Sequence, residues 1–250
     1  MIRLAVLFLC AIPSIAMAQS TPRSGYEFLS DGTKQLQDDD FLNPGFFIMP
    51  RGEALWDAEG PNGESCAGCH GAAQEAMRGV ATRYPQVDDD LGLINLEQRI
   101  NDERTRRMAA APFAYESEDL LALTTYVATQ SRGMDMAVET TGPARPYWER
   151  GRDFYEARRG QLNLACTHCH VDHVGDKLRG DVISEGQVNG FPIFRLIWNE
   201  MGSRHRMFAW CNDAVRAEPY ALGSQEYLEL ELYVASRGTG LQIETPAVRR

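Results

Sequence analysis

The sequence predicts a mainly α-helical chain built from two tandem copies of one unit, and three observations lead there. A Cys-x-x-Cys-His pentapeptide occurs twice, as Cys66-Ala67-Gly68-Cys69-His70 and Cys166-Thr167-His168-Cys169-His170. The same landmarks surround each copy in the same order, at an offset of about 100 residues. Arg51-Gly52-Glu53-Ala54-Leu55-Trp56 precedes the first pentapeptide and Arg150-Gly151-Arg152-Asp153-Phe154-Tyr155 the second; Tyr126-Val127-Ala128 with Ser131-Arg132-Gly133 is echoed by Tyr233-Val234-Ala235-Ser236-Arg237-Gly238. Finally, both copies close on a segment with helical periodicity and a helix-capping serine.

Taken in order, the chain opens on a secretory signal peptide over residues 1–18. Arg3 precedes the apolar run Leu4 to Ile12, Pro13 and Ser14 break it, and Ala16-Met17-Ala18 supplies a small-x-small cleavage pattern. That run is too short to span a bilayer, and no later stretch approaches about 20 apolar residues. The expectation is an exported chain without a membrane span, periplasmic in a bacterium, with Cys10 lost with the signal. An N-terminal unit follows over 19–140. In it Asp38-Asp39-Asp40 and Asp88-Asp89-Asp90 mark loops, Pro50 suits the first turn of a helix carrying Trp56, and Ser117 caps a helix with Leu120, Leu121, Leu123 and Val127 on its apolar side. Met134 to Arg145, with Thr140-Thr141-Gly142-Pro143, has the composition of a linker. The C-terminal unit, 141–250, closes on a helix opened by Ser224 and carrying Leu228, Leu232 and Ala235.

The pentapeptide has the form of covalent c-type haem attachment: two thiols bond the porphyrin vinyl groups and the adjacent imidazole, His70 or His170, binds iron. Zinc fits poorly, because the pairs are separated by the 96 residues from 70 to 165, whereas zinc ribbons space them by about 15–20. A thioredoxin-like redox pair needs one motif in a βαβ setting and gives no reason for the histidines. A helix before each pentapeptide and a closing helix after it is the layout of a class I cytochrome c domain, so the fold expected is two tandem cytochrome c-like domains.

Each iron then needs a further axial ligand. Only His168, His173 and His205 remain among the histidines; His168 lies inside its own binding loop and His173 just past it, so surface or hydrogen-bonding roles are expected of both. Cys211, 41 residues after His170, is the better candidate for the second haem. A disulfide is the default for an exported cysteine, and an inert buried thiol the other bland reading, but all other mature cysteines are committed to haem. Arg195, Arg204, His205, Arg206 and Arg216 surround Cys211 in sequence and would depress its pKa and gather anions if they converge. Together these suggest a haem-ligated thiolate handling an anionic, sulfur-containing substrate.

The formal charge of −10 argues against nucleic acid and anionic membrane as partners, and suits either plain solubility or docking to a basic protein.

Several runs resemble the SoxA family: Asp39-Asp40-Phe41-Leu42-Asn43-Pro44-Gly45, Ile94-Asn95-Leu96-Glu97-Gln98-Arg99-Ile100-Asn101, Gly142-Pro143-Ala144-Arg145-Pro146, Arg159-Gly160-Gln161-Leu162-Asn163-Leu164-Ala165-Cys166 and Val215-Arg216-Ala217-Glu218-Pro219-Tyr220. The likeness covers nearly all of the mature chain. It implies the dihaem subunit of the SoxAX cytochrome of periplasmic thiosulfate oxidation. Cys66 and Cys69, with proximal His70, would hold one haem, and Cys166 and Cys169, with His170, the other. Cys211 would be the distal ligand of the active-site haem and the sulfur-handling residue, able to carry a persulfide. The implied reaction joins thiosulfate oxidatively to a carrier-protein cysteine on SoxYZ. A SoxX-type cytochrome subunit is the implied partner and electron outlet, passing electrons to a cytochrome c acceptor. Arg195, Arg206 and Arg216 are the expected sulfonate-binding residues, set against ordinary surface salt-bridging.

The chain departs from that family in one place. Dihaem members typically carry a cysteine shortly after the Arg-Ile-Asn run, where this chain reads Asp102-Glu103-Arg104. Met108 is the nearest soft ligand for the first iron and Glu103 an unusual one, so that haem is expected to be Met-ligated or five-coordinate. The basic cluster before Cys211 is also thin, since Met207, Phe208, Ala209 and Trp210 follow Arg206. The function expected is an L-cysteine S-thiosulfotransferase subunit. The alternatives are a thiosulfate dehydrogenase forming tetrathionate and a non-catalytic dihaem electron-transfer cytochrome.

Overall fold

Local capping chemistry sets most of the helices in the computed structural model, which describes residues 21–250; the expected signal peptide lies outside the described residues. Helix α1 (Asp31–Asp38) begins at Ser30, whose hydroxyl accepts from Thr33 N–H, and α2 (Met49–Asp57) holds Pro50 in its first turn. The first pentapeptide forms a short helix, α3 (Cys66–His70), capped by Ser65, and α4 (Ala73–Ala76) follows. A hairpin, β1 (Gln86–Asp88) and β2 (Gly92–Ile94), turns on Asp88, whose carboxylate accepts from Asp90 and Leu91 N–H. Asn95 caps α5 (Leu96–Arg106) and Ser117 caps α6 (Glu118–Thr129). The second half repeats the plan with α7 (Arg145–Glu156) and the second pentapeptide helix, α8 (Cys166–His170). A two-residue hairpin, β3 (Lys177–Leu178) and β4 (Asp181–Val182), precedes β5 (Ile193–Arg195) and β6 (Glu200–Gly202). Ser203 then caps α9 (Arg204–Ala214), Ser224 caps α10 (Gln225–Arg237), and β7 (Ala247–Arg249) ends the chain. The mainly helical class expected from the sequence is what is observed.

The repeated Arg-Gly landmark has a packing cause. Helices α2 and α6 cross at Gly52, where a Cβ would stand 2.4 Å from Ala122 O; α7 and α10 cross at Gly151, where it would stand 2.0 Å from Glu229 O. Only glycine lets the backbones approach so closely. The preceding arginine clamps each crossing: Arg51 Nε donates to Asp119 and Arg150 Nε to Glu229, both at 2.8 Å. Each pair covers its own core. Trp56, Tyr84, Ile100, Leu120 and Leu123 are buried together in the first half, and Tyr155, Phe208, Tyr227, Leu228 and Leu232 in the second.

The halves are not joined by a loose connector. The segment read as a linker is pinned at its start: Gly133 N–H donates to Ile243 O and Met136 N–H to Leu241 O, both at 2.9 Å, and Met136 is 1 % exposed. Its composition signalled turns correctly, but backbone pairing and the buried Met136 side chain fix it. Residues before α2 also cross over. Asn43 Nδ2 donates to Pro246 O (2.9 Å) and Gln37 Oε1 accepts from Val248 N–H (3.0 Å), so this stretch packs on β7 of the second half. That strand pairs in parallel with β5, the centre of the three-stranded sheet β6-β5-β7. Between the halves lies a buried charged cluster: Glu97 of α5 faces Glu231 of α10, with Arg204 and His205 of α9 alongside.

Gly151→Ala is expected to cost about 1–3 kcal/mol in chemical denaturation, because the α7/α10 backbones must separate. Gly32→Ala, with nothing within 4 Å of the new methyl, should be neutral or slightly stabilising. Burial, then the charge of Glu231, pushes the Glu97 carboxyl up to about 7. The folded state therefore holds a proton that the unfolded chain has lost above the ordinary carboxylate range. Stability should fall by about 1–3 kcal/mol as pH rises from 5 to 8, and Glu97→Gln should remove that slope.

Candidate functional site

The second pentapeptide is organised more tightly than the first. His168 Nδ1 accepts from Ala165 N–H at 3.0 Å and so closes the first turn of α8; His173 bonds Asp176 at 2.9 Å on the surface. Both roles agree with expectation. His170 Nδ1 donates to Ser184 O at 2.8 Å, which orients the ring and leaves Nε2 free to bind a metal. Gly186, at φ +72°, lies flat on that ring: a Cβ there would stand 2.8 Å from it. Arg237 holds the same loop by donating to Glu185 O at 3.3 Å and by bonding the Tyr155 hydroxyl. Burial keeps the His170 pKa low, favouring the neutral imidazole that ligates iron.

Cys211 lies in the third turn of α9, the helix that follows β6. Phe208 and Ala209 of that helix pack in the same core as Cys166. The Cys211 thiol is close enough to Cys166, Cys169 and Arg195 for their charges to act on it. The expected depression of its pKa is not found. Burial pushes it up to about 12, the charge of Cys166 adds to this, and Arg195 alone opposes it. The donor set, two pentapeptide thiols and an oriented imidazole with a further thiol nearby, fits a covalently attached haem.

The basic residues around Cys211 do not converge as the sequence suggested, because carboxylates divide them. Arg204 Nη1 donates to Glu231 (2.8 Å) and His205 Nε2 stands 2.9 Å from the same carboxylate. Arg206 donates to Glu200 (2.8 Å) and to Met201 O (3.1 Å). Arg216, at φ +59°, is exposed; its carbonyl accepts from Gln161 N–H at 3.2 Å, in the loop leading to the second pentapeptide. Arg195 is different. It is 8 % exposed on β5, its guanidinium lies 4.2 Å from the Trp210 ring and 5.1 Å from Trp198, and Nη1 contacts Met207 Sδ at 2.9 Å. Its buried Nε has no hydrogen-bond partner among the described residues. A desolvated cation between two aromatic faces, with a free N–H, is suited to an anion.

The first pentapeptide is more open. His70 is exposed and packs beside Trp56 at 5.9 Å, whose indole N–H donates to Gly71 O at 3.0 Å. The last turn of α5 runs beside the pentapeptide thiols: Arg104 and Glu103 act electrostatically on Cys66, and Glu64 lies 3.6 Å from Cys69 Sγ. Met108 is 4 % exposed against Gly60, where a Cβ would stand 2.2 Å from Met108 O, and Asn62 donates to Arg107 O at 2.6 Å. Its thioether is thus buried beside the loop that leads to Cys66.

Sequence reasoning did not single out Ser184, Gly186 or the bracket of Trp198 and Trp210. Tyr155 and Arg237 were noticed only as repeat landmarks. The Ser-Glu-Gly turn after the second pentapeptide was the available signal for the His170 support.

The family model described as the SoxA/TsdA cytochrome c domain matches residues 51–136. An L-cysteine S-thiosulfotransferase subunit SoxA from Rhodovulum sulfidophilum is 43 % identical over 91 % of this chain and 80 % of its own length. That of Paracoccus pantotrophus is 42 % identical over 90 % and 78 %. A crystal structure of SoxXA from P. pantotrophus superposes with a TM-score of 0.88 at 41 % identity, covering 92 % of this chain and 87 % of that one.

Gly186→Ala should misorient His170, since the methyl meets the ring and the backbone is left-handed there. For a c-type haem held by this motif, the expected outcome is an altered ligand-field spectrum with the haem still covalently attached by peptide mass.

Proposed function

The chain belongs to the SoxA family, and on that premise we propose that it works as the L-cysteine S-thiosulfotransferase subunit of a periplasmic SoxAX-type cytochrome, with Cys211 as the sulfur-handling residue. Its two halves, 19–140 and 141–250, are read as tandem class I cytochrome c-like domains. Cys66, Cys69 and His70 would hold one c-type haem; Cys166, Cys169 and His170 would hold the other, with Cys211 opposite His170. Met108 is the proposed soft ligand of the first. When bound, the haems supply acceptors for electrons taken one at a time.

The net reaction joins a carrier thiol to thiosulfate: R–SH + S₂O₃²⁻ gives R–S–S–SO₃⁻, one proton and two electrons. A cysteine intermediate divides it. The Cys211 thiolate and thiosulfate lose two electrons and form Cys211–S–S–SO₃⁻. The carrier thiolate then attacks the sulfane sulfur that bears the sulfonate, which regenerates the Cys211 thiolate and releases the product. Arg195 holds the sulfonate oxygens through its unpartnered N–H, while Trp198 and Trp210 keep the guanidinium dry. Arg206, already bonded to Glu200, is a weaker second contact, and exposed Arg216 can meet the incoming carrier. The carrier proposed is SoxYZ-type, and the electron outlet a SoxX-type cytochrome c subunit passing electrons to a cytochrome c acceptor. Among the described residues no helix is long and apolar enough to cross a membrane.

One observation carries this reading: the Cys211 thiol lies near the cysteines of the second pentapeptide and near buried Arg195, whose Nε has no hydrogen-bond partner among the described residues. The test is cytochrome c reduction by thiosulfate with and without the carrier, with the carrier's mass followed. Carrier-dependent reduction that adds an S–SO₃ group to the carrier cysteine is expected, abolished in Cys211→Ala. Arg195→Ala should raise KM for thiosulfate by roughly ten- to a hundredfold, the value of a charge-assisted hydrogen bond. Tetrathionate formed without carrier would instead identify a thiosulfate dehydrogenase, and full redox cycling in Cys211→Ala an electron carrier.

A further inference from the structure

Helix α9 carries Cys211, and its first turn is held in part by the other half of the molecule. Ser203 N–H donates to Glu116 at 3.3 Å, and Arg204 Nη1 donates to Tyr84 O at 3.3 Å; both acceptors belong to the first half. His205 lies flat on Tyr115, with centroids 5.7 Å apart and planes 4° from parallel. Arg204 and His205 meet at one carboxylate. Glu231 accepts from Arg204 on one oxygen (2.8 Å); its other oxygen faces His205 Nε2 (2.9 Å) and accepts from Asn95 Nδ2 (3.1 Å). The Asn95 carbonyl in turn accepts from the Tyr115 hydroxyl at 3.1 Å. His205 Nδ1 accepts from Gly223 N–H at 2.9 Å, which places the imidazole proton on Nε2, 2.9 Å from a Glu231 oxygen. Glu231, His205 and Asn95 are each 1 % exposed, and Arg204 is 8 % exposed.

Such a cluster is costly to bury and is ordered only as a whole: removing the carboxylate takes the anion from buried Arg204 and the acceptor from Asn95 Nδ2. A helix transmits the position of its first turn along its length. Arg204 and Cys211, seven residues apart, lie on one face, separated by about 10 Å of axial rise.

We propose that Glu231 is a positioning residue, and that through it the first half, by way of Asn95 and Tyr115, sets where the Cys211 sulfur stands relative to the second haem motif. The proposal rests on the reading of Cys211 as the ligand opposite His170. It assigns the first half a structural part in the reaction, separate from any haem of its own. The groups facing Glu231 are Arg204 and His205 on α9 and Asn95, Glu97 and Tyr115 from the first half; among the described residues none of them is hydrogen-bonded or ion-paired to a pentapeptide residue.

The experiment uses the full, periplasmically matured chain with its partner cytochrome, and compares wild type, Cys211→Ala, Glu231→Gln, Asn95→Ala and Glu229→Gln. Glu229 lies on the same helix and pairs with Arg150, so its variant controls for ordinary loss of stability. The readouts are electron paramagnetic resonance of the thiolate-ligated haem, its reduction potential, hydrogen exchange of the α9 amides, and kcat against KM. Glu231→Gln and Asn95→Ala should heterogenise or lose the thiolate signal, speed exchange in the first turn of α9, and lower kcat by about ten- to a hundredfold with KM nearly unchanged, as expected for a misplaced reacting group. Haem content and the first haem's spectrum should not move, and Glu229→Gln should leave the thiolate signal intact. Should Glu231→Gln fail to accumulate, Asn95→Ala decides alone. A wild-type-like thiolate signal and potential in Asn95→Ala, or a loss equalled by Glu229→Gln, overturns the proposal. Identical spectra for wild type and Cys211→Ala would overturn the ligand reading, and the proposal with it.

Discussion

Two opposite charges buried against each other, Arg204 and Glu231, hold the place where the halves of this molecule meet. Neither tolerates burial alone. Burial by itself would raise the Glu231 carboxyl; His205 Nε2 at 2.9 Å and the charge and hydrogen bond of Arg204 hold it below the usual carboxylate range instead. Glu97, facing the same carboxylate without a cation of its own, is pushed the other way. The pair therefore separates two acids into a charged and a neutral form within one buried site. The same constraint orients α9, and α9 brings Cys211 to the second pentapeptide.

Much of the fold was legible because its signals are local. Ser117 and Ser224 cap the helices they were expected to cap, and the Arg-Gly landmarks before each pentapeptide mark the two close helix crossings at Gly52 and Gly151. What escaped depends on pairing between distant residues. Composition showed turns between Met134 and Arg145, but only the partner strand around Leu241 and Ile243 reveals that the segment is clamped. Asn43 and Gln37 belong in sequence to the first unit and in space to the strand that ends the second.

The site divides the same way. The pentapeptides and Cys211 announce themselves by residue type and spacing. The cluster of basic residues near Cys211 looked like one anion trap because sequence counts charges without their partners. Glu200 takes Arg206 and Glu231 takes Arg204 and His205, leaving Arg195 as the buried cation beside the thiol. The two pentapeptides, alike in sequence, also differ in setting. His170 is oriented by Ser184 and covered by Gly186, whereas His70 is exposed beside Trp56. Within the proposed function that asymmetry suits one enclosed reacting centre and one more open haem near the surface.

The central claim is that the Cys211 sulfur binds the iron opposite His170, and X-ray absorption at the iron edge tests it most directly. Comparing the matured protein with Cys211→Ser removes any sulfur contribution from Met108, which both share. The account predicts an iron–sulfur scattering contribution in the wild type that diminishes in Cys211→Ser. Identical iron environments in the two proteins would contradict it.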